Sequence, residues 1–140
     1  MIFKPLYGAV AMLLFVPGNA IAHNLQVKGN VAVTFHLEPN HNPKVNQPAQ
    51  TWFLLTQAGG KIIPLSECDC QLQVVPIQPK GIKSFAPPLQ AVKAERYRGI
   101  PGATFQFSQV GLYELRLSGK PKNGSSFQPF TVSYKVTVTG

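Results

Sequence analysis

The stretch Gly111-Leu112-Tyr113-Glu114-Leu115-Arg116-Leu117 decides the fold of this 140-residue chain. Apolar and polar side chains alternate along it, which is the pattern of an extended strand with one buried face. A glycine-rich turn at 119–126 separates this stretch from a second alternating run. The apolar positions of the second run are Val132, Tyr134, Val136 and Val138. Both segments are therefore predicted to be half-buried β-strands.

Further short strands are predicted towards the N-terminus, at 31–38, 50–56, 61–63, 70–75 and 103–107. Between 76 and 101 the pattern fades because five prolines interrupt the stretch. There we expect a long connection with one short strand at 90–95. Many short strands separated by turns predict an all-β fold of two packed antiparallel sheets. Six aromatic residues at core positions are expected to fill the space between the sheets: Phe35, Trp52, Phe105, Phe107, Tyr113 and Tyr134.

The first 22 residues are predicted to be a removable export signal. A single charge at Lys4 precedes an apolar run at 6–16, which is too short to span a bilayer, and the small-residue pattern Ala20-Ile21-Ala22 follows. Cleavage after Ala22 would make His23 the new N-terminus, whereas cleavage after Ala20 would not. We therefore expect one domain at 23–140, periplasmic or secreted, with no transmembrane anchor in the mature chain.

The C-terminal third resembles the end of an immunoglobulin-like domain. In such domains a Gly-x-Tyr segment, here Gly111 to Tyr113, opens the penultimate strand, and the tyrosine forms a corner with the preceding connection. Leu115 stands where a true immunoglobulin domain has its second cysteine, so the disulfide between the sheets is absent. Among small exported sandwiches, the chain resembles the YtkA-like and CopC-like periplasmic proteins. The resemblance implies an immunoglobulin-like antiparallel β-sandwich of about seven strands.

The resemblance also implies copper binding, because CopC-like proteins hold copper(II) with an N-terminal histidine. His23 would take that role after cleavage at Ala22, with His36 or His41 as a second imidazole. Imidazole suits copper(II), and a free α-amine adds another nitrogen donor. The alternation places His36 on the polar face of its strand, while His41 lies in a loop. We therefore predict copper as cofactor and a role in copper handling or delivery; the alternative for each histidine is an ordinary surface residue.

Cys68-Asp69-Cys70 contains the only two cysteines of the chain. A spacing of two places both sulfurs on the same side of an extended strand. Three outcomes stay open: a disulfide between the two residues, a thiolate pair that binds copper(I) or another soft ion, or pairing of each with a partner protein. The Cys-x-Cys feature resembles that of the immunoglobulin-like copper donors that serve cytochrome oxidase. Cys68 and Cys70 are therefore further candidate metal ligands.

A formal net charge of +8 favours anionic partners. The most basic stretch is 80–98, and its candidate partner-binding residues are Lys80, Lys83, Arg96 and Arg98. The alternative function is thus an accessory module that binds an acidic protein or an envelope polymer, although a solvated connection would show the same charges. Export and the absence of a nucleic-acid motif exclude nucleic acid as the expected partner. No nucleophile elbow, phosphate-binding loop or carboxylate pair is recognisable, which favours a protein that is not an enzyme.

Overall fold

The computed structural model describes residues 24–140, which contain eight β-strands. They are β1 (Leu25–Lys28), β2 (Val31–Glu38), β3 (Pro48–Gln57), β4 (Cys68–Gln78), β5 (Gln90–Ala94), β6 (Tyr97–Gln106), β7 (Gly111–Pro121) and β8 (Phe130–Val138). A short 3-10 helix at Leu65–Glu67 precedes β4. The predicted signal at 1–22 and the candidate ligand His23 lie outside the described residues. From residue 24 onwards, no helix is long and apolar enough to cross a membrane.

The strands form two antiparallel sheets, which confirms the predicted β-sandwich. One sheet has five strands in the order β1-β2-β3-β6-β5, and the other has three in the order β4-β7-β8. The strand β1 was missed in the sequence because four residues are too few for an alternation to be recognised. The strand predicted at 61–63 is wrong, since only a single bridge joins Ile62 to Thr56 there. β1 pairs with 31–34 only, so the second half of β2 has a free edge on that side.

Alternating apolar side chains from both sheets form the core. In β2 these are Val31, Val33, Phe35 and Leu37, and in β7 they are Tyr113, Leu115 and Leu117. Each fully buried side chain of this size contributes about 1.5–3 kcal/mol relative to an exposed one. The tyrosine corner is present, since the Tyr113 hydroxyl donates to the Gln109 carbonyl at 2.7 Å. A second tyrosine ties the two sheets together, because the Tyr134 hydroxyl in β8 donates to the Val33 carbonyl in β2 at 2.9 Å.

The prediction that Trp52 fills the core is wrong. Phe53 is fully buried between the sheets, whereas Trp52 lies half-buried on the outer face of the five-stranded sheet. Every position from 52 to 55 is apolar, so the alternation that separates the two faces elsewhere is missing here. The other five predicted core aromatics are buried as expected.

The connection predicted between 76 and 101 is shorter than expected. β4 continues through Pro76 to Gln78, with a shift of its register against β7 at that proline. β6 already begins at Tyr97 and contains Pro101. Both prolines are tolerated because part of the sheet edge beside them is free: β4 is an edge strand, and β3 pairs with β6 only as far as Gly102. The short strand predicted at 90–95 is present as β5.

Candidate metal centre

His36 lies on the outer face of the five-stranded sheet, as its place in the alternation predicted. It is directly opposite Trp52 in the pairing of β2 with β3. The imidazole stacks on the indole, with ring centroids 4.9 Å apart and an interplanar angle of 24°. The indole therefore supports one face of the imidazole and limits its rotation.

A carboxylate fixes the orientation of the same imidazole. Glu38, two residues further along β2, has its Oε1 2.7 Å from His36 Nε2. This hydrogen bond lowers the pKa of Glu38 below its ordinary value, so the carboxylate stays charged at neutral pH. In the neutral imidazole, a proton on Nε2 would leave the lone pair on Nδ1. Histidines that bind metal commonly donate their other ring N–H to a carboxylate in this way.

His41 is brought to His36 by the turn that follows β2. Its backbone has a φ of 54°, and its N–H donates to the Leu37 carbonyl at 2.7 Å. The turn therefore folds back along the end of β2. The His41 ring contacts Phe35 and His36 edge-on, with centroid distances of 5.5 and 4.9 Å. His36 and His41 are thus in contact. The sequence indicated both as candidate ligands but did not show that they lie together.

His41 also lines an open cleft between the two sheets. The cleft has a volume of about 340 Å³ and lies where β1 no longer covers β2. On one side it is lined by Asn24, Gln26, Phe35 and His41, and on the other by Ser133, Tyr134 and Thr137. The Gln26 side-chain amide donates to the Ser133 carbonyl and so links β1 to β8 across it. The first described residue, Asn24, is buried in this cleft.

The two imidazoles fit one ion only in part. Two nitrogens that bind the same ion at about 2 Å lie no more than ~4 Å apart. Ring centroids 4.9 Å apart permit that spacing once the His41 ring rotates out of its edge-on contact. Within residues 24–140, however, no three His, Cys, Asp or Glu side chains are grouped so that they could hold a metal ion. A complete site would need at least one further donor.

Cys68 and Cys70 form a disulfide with each other, which is one of the three outcomes that the sequence left open. In this state they offer no thiolate to a metal. They lie at the start of β4 in the three-stranded sheet and are not grouped with His36 and His41. Cys68 is 1% exposed and belongs to the core, whereas Cys70 is only partly buried.

This disulfide contributes little to stability through chain entropy. It closes a loop of only three residues, for which the entropic effect is about 1.6 kcal/mol, against about 3 kcal/mol for a loop of 15. The pairing of Cys70 with Gly119 in β7 already holds the strand. A Cβ at Gly119 would lie 2.8 Å from Cys68 Sγ and 2.6 Å from the Phe130 ring, so glycine makes room for the sulfur at this position.

The four candidate partner-binding cations are all exposed. Lys80 and Lys83 follow β4, while Arg96 and Arg98 lie in and after the turn from β5 to β6. The Arg96 guanidinium lies 5.2 Å from the centroid of the Tyr97 ring. In the part of the chain that the structure describes, the ion pairs of Lys or Arg are Arg116–Glu114 and Lys120–Asp69, so none involves these four cations.

Sequence analysis missed two residues of the histidine cluster, Glu38 and Trp52. Glu38 could have been found, because residues two apart in a strand share a face and His36 was already placed on the polar one. Trp52 could not, because its contact with His36 depends on the pairing register of β2 and β3.

The chain matches no known family and no curated protein at the level of sequence. Solved structures with a similar fold include a DUF4426 family protein from Pseudomonas aeruginosa, with 14% identity and a TM-score of 0.55 over 81% of this chain and 96% of that one. FetP of uropathogenic E. coli, expressed in the periplasm, has 14% identity and a TM-score of 0.59 over 83% of this chain and 93% of its own. A copper-bound variant of Campylobacter jejuni P19 has 15% identity and a TM-score of 0.56 over 84% and 94%.

Each of these three structures covers most of this chain and is itself almost fully covered. The likeness therefore extends over the whole sandwich and supports the predicted β-sandwich fold. At 14–15% identity it establishes the fold and leaves the function to the residues of the site.

Proposed function

We propose that this is an exported copper-binding protein that handles copper outside the cytoplasm and catalyses no reaction. The observation that carries the proposal is the contact between His36 and His41, with Glu38 hydrogen-bonded to the first ring. Two similar folds support it: FetP was expressed in a periplasm, and the P19 variant binds copper. The predicted export signal agrees with that compartment.

His23 is the third ligand in this proposal. It directly precedes Asn24 in the chain. The Asn24 side chain lines the same cleft as His41. If the signal is cut after Ala22, His23 supplies both its imidazole and its α-amine. Together with His36 and His41 it would then provide four nitrogen donors.

Copper(II) is the oxidation state that these ligands favour. Imidazole and amine nitrogens suit copper(II), whereas copper(I) prefers thiolate and thioether sulfur. The described sulfur ligands that could favour copper(I) are joined in the Cys68–Cys70 disulfide. Imidazoles bind metal only when neutral, so copper affinity should fall as the solution is made acidic.

The test is copper(II) titration of His23→Ala, His36→Ala and His41→Ala, each compared with the parent chain. Loss of a partner that only orients a ligand typically costs about 10–100-fold in metal affinity, and loss of the ligand itself should cost at least ~100-fold. Thr137→Ala is the matched control, because Thr137 lines the same cleft and carries no metal-binding nitrogen. If the affinities of His36→Ala and His41→Ala both match that of the control, the site is wrong. If only His23→Ala matches it, the site lacks the N-terminal chelate.

A second candidate function is docking to an acidic protein or envelope polymer. Four exposed cations without a described carboxylate partner lie close in sequence to β5, which is an edge strand. Polyglutamate is a suitable probe, and its binding should weaken steeply as salt rises, whereas chelation should hardly change. Charge reversal of the four cations, Lys80, Lys83, Arg96 and Arg98, should abolish binding. Reversal of four lysines elsewhere should leave binding intact: Lys28, Lys44, Lys61 and Lys135. If both variants lose polyglutamate binding equally, binding depends on net charge alone and the docking surface is wrong.

A further inference from the structure

We propose that the Cys68–Cys70 disulfide is a thiol–disulfide exchange centre that accepts two electrons from a dithiol. This inference is independent of copper binding, since the disulfide lies in the other sheet and is not grouped with the histidines.

The bond imposes only a small constraint on the fold. It links residues two apart within one strand, so it joins no two elements of the fold. The ladder to β7 holds both positions, with Cys68 opposite Pro121 and Cys70 opposite Gly119. A disulfide that is placed for stability would close a longer loop, because the stabilisation rises with loop length. Reduction here should therefore leave the sandwich folded.

The bond can form again with only a small movement of the backbone, because residues two apart in a regular strand already lie about 6.5 Å apart. The two Cα atoms are 5.2 Å apart, inside the range of about 4.4–6.8 Å found for disulfides. Because the ladder to β7 holds both residues in one strand with continuous register, the two thiols would remain neighbours after reduction. Gly119 preserves the space beside Cys68 Sγ that a side chain would otherwise occupy. The pair can thus alternate between two states on one scaffold.

The two cysteines differ in their exposure to solvent. Cys68 is 1% exposed and belongs to the core, while Cys70 is partly exposed on the edge strand β4. An incoming thiolate should therefore reach Cys70 more readily than Cys68.

The exchange follows from this asymmetry. A thiolate of the dithiol attacks Cys70 Sγ and forms a mixed disulfide; the bond between Cys70 and Cys68 breaks, and the Cys68 sulfur leaves as a thiolate that takes up a proton. The second thiolate of the donor then attacks the donor's own sulfur in the mixed disulfide and releases the Cys70 thiolate. The donor is oxidised to a disulfide and the protein is reduced to a dithiol, with two electrons transferred.

The experiment exposes the oxidised, folded full chain to buffers of reduced and oxidised dithiothreitol, with a chelator present. Thiols are then alkylated and counted by intact mass, while circular dichroism monitors the fold. We expect both cysteines to be alkylated in the folded protein, and the disulfide to return when oxidised dithiothreitol is restored. If the disulfide survives excess dithiothreitol until a denaturant unfolds the chain, it is structural and the proposal is wrong.

Two single variants test the direction of attack. Cys68→Ser leaves Cys70 as the only thiol and should form a mixed disulfide with oxidised glutathione at least ~10-fold faster than Cys70→Ser does. Equal rates would overturn the assignment of Cys70 as the attacked sulfur. If either variant fails to fold, the reduction of the unmodified chain still decides the proposal. The double variant His36→Ala/His41→Ala should keep its exchange behaviour, so failure of the copper site and failure of this centre are separable.

Discussion

Substitution of Glu38 by glutamine tests whether the histidine cluster is built to hold a metal. The carboxylate accepts from His36 Nε2 at 2.7 Å and so limits rotation of the imidazole ring. Glutamine has nearly the same shape, but its amide is neutral and makes a weaker hydrogen bond with the imidazole. The substitution should leave the fold intact, because Glu38 is exposed at the end of β2.

The expected effect follows from the exposure of the carboxylate. Removal of an orienting partner costs about 10–100-fold in metal affinity. The Glu38 side chain is 51% exposed, so water can replace part of its hydrogen bonding to His36. The low end of the range of about 10–100-fold therefore applies. We expect Glu38→Gln to raise the Kd for copper(II) by ~10-fold. Nitrogen hyperfine structure should persist in the electron paramagnetic resonance spectrum, because the ligands themselves are unchanged.

The assay is a competition titration of the variant against a chelator of known copper affinity. Glu114→Gln is the matched control, since Glu114 also accepts from a side chain two residues away in its strand, that of Arg116 at 2.9 Å, but lies in the other sheet. Its Kd should equal that of the parent chain. A Kd for Glu38→Gln within twofold of this control, together with a large loss in His36→Ala, would refute the orienting role of Glu38.

Three further predictions concern the scaffold. Leu115 is fully buried, so Leu115→Ala should lower the free energy of unfolding by about 2–5 kcal/mol in urea titrations; a loss below ~1 kcal/mol would contradict the described core. Burial raises the pKa of Tyr134 far above 10.0, so above about pH 10 the unfolded chain loses a proton that the folded chain keeps. The free energy of unfolding should therefore fall with rising pH in that range, and Tyr134→Phe should flatten the slope; an unchanged slope would place the tyrosine in solvent. Gly119→Ala would bring a Cβ to 2.8 Å from Cys68 Sγ and should lower the melting temperature, because Gly119 has little free space beside its Cα; an unchanged melting temperature would contradict this close approach.

The sequence predicted the fold best where apolar and polar residues alternate strictly. β2, β7 and β8 have such patterns, and their core faces are as expected. The prediction for Trp52 was wrong because an uninterrupted apolar run in β3 contains no information about which residue faces inward. Pro76 and Pro101 led to the prediction of a connection, but they lie in strands β4 and β6. Proline is excluded only where both edges of a strand are paired, and part of the edge beside each of these prolines is free.

The candidate site could be predicted in its residues but not in its geometry. The alternation in β2 made His36 accessible, and the ligand chemistry of imidazole suggested copper. The contact with His41 depends on a turn with positive φ and on a free edge of β2, which exists because β1 is short. Neither feature is visible as a pattern of residues. The stacking of Trp52 on His36 likewise depends on long-range strand pairing.

The most direct test is copper(II) titration of protein exported through its own predicted signal, followed by electron paramagnetic resonance and intact mass. We predict a chain that begins at His23, one tightly bound equivalent of copper and hyperfine structure from several nitrogens. The double variant His36→Ala/His41→Ala should lose this signal under the same conditions. A chain that begins at His23 and binds no tight equivalent of copper(II) would contradict the proposed function.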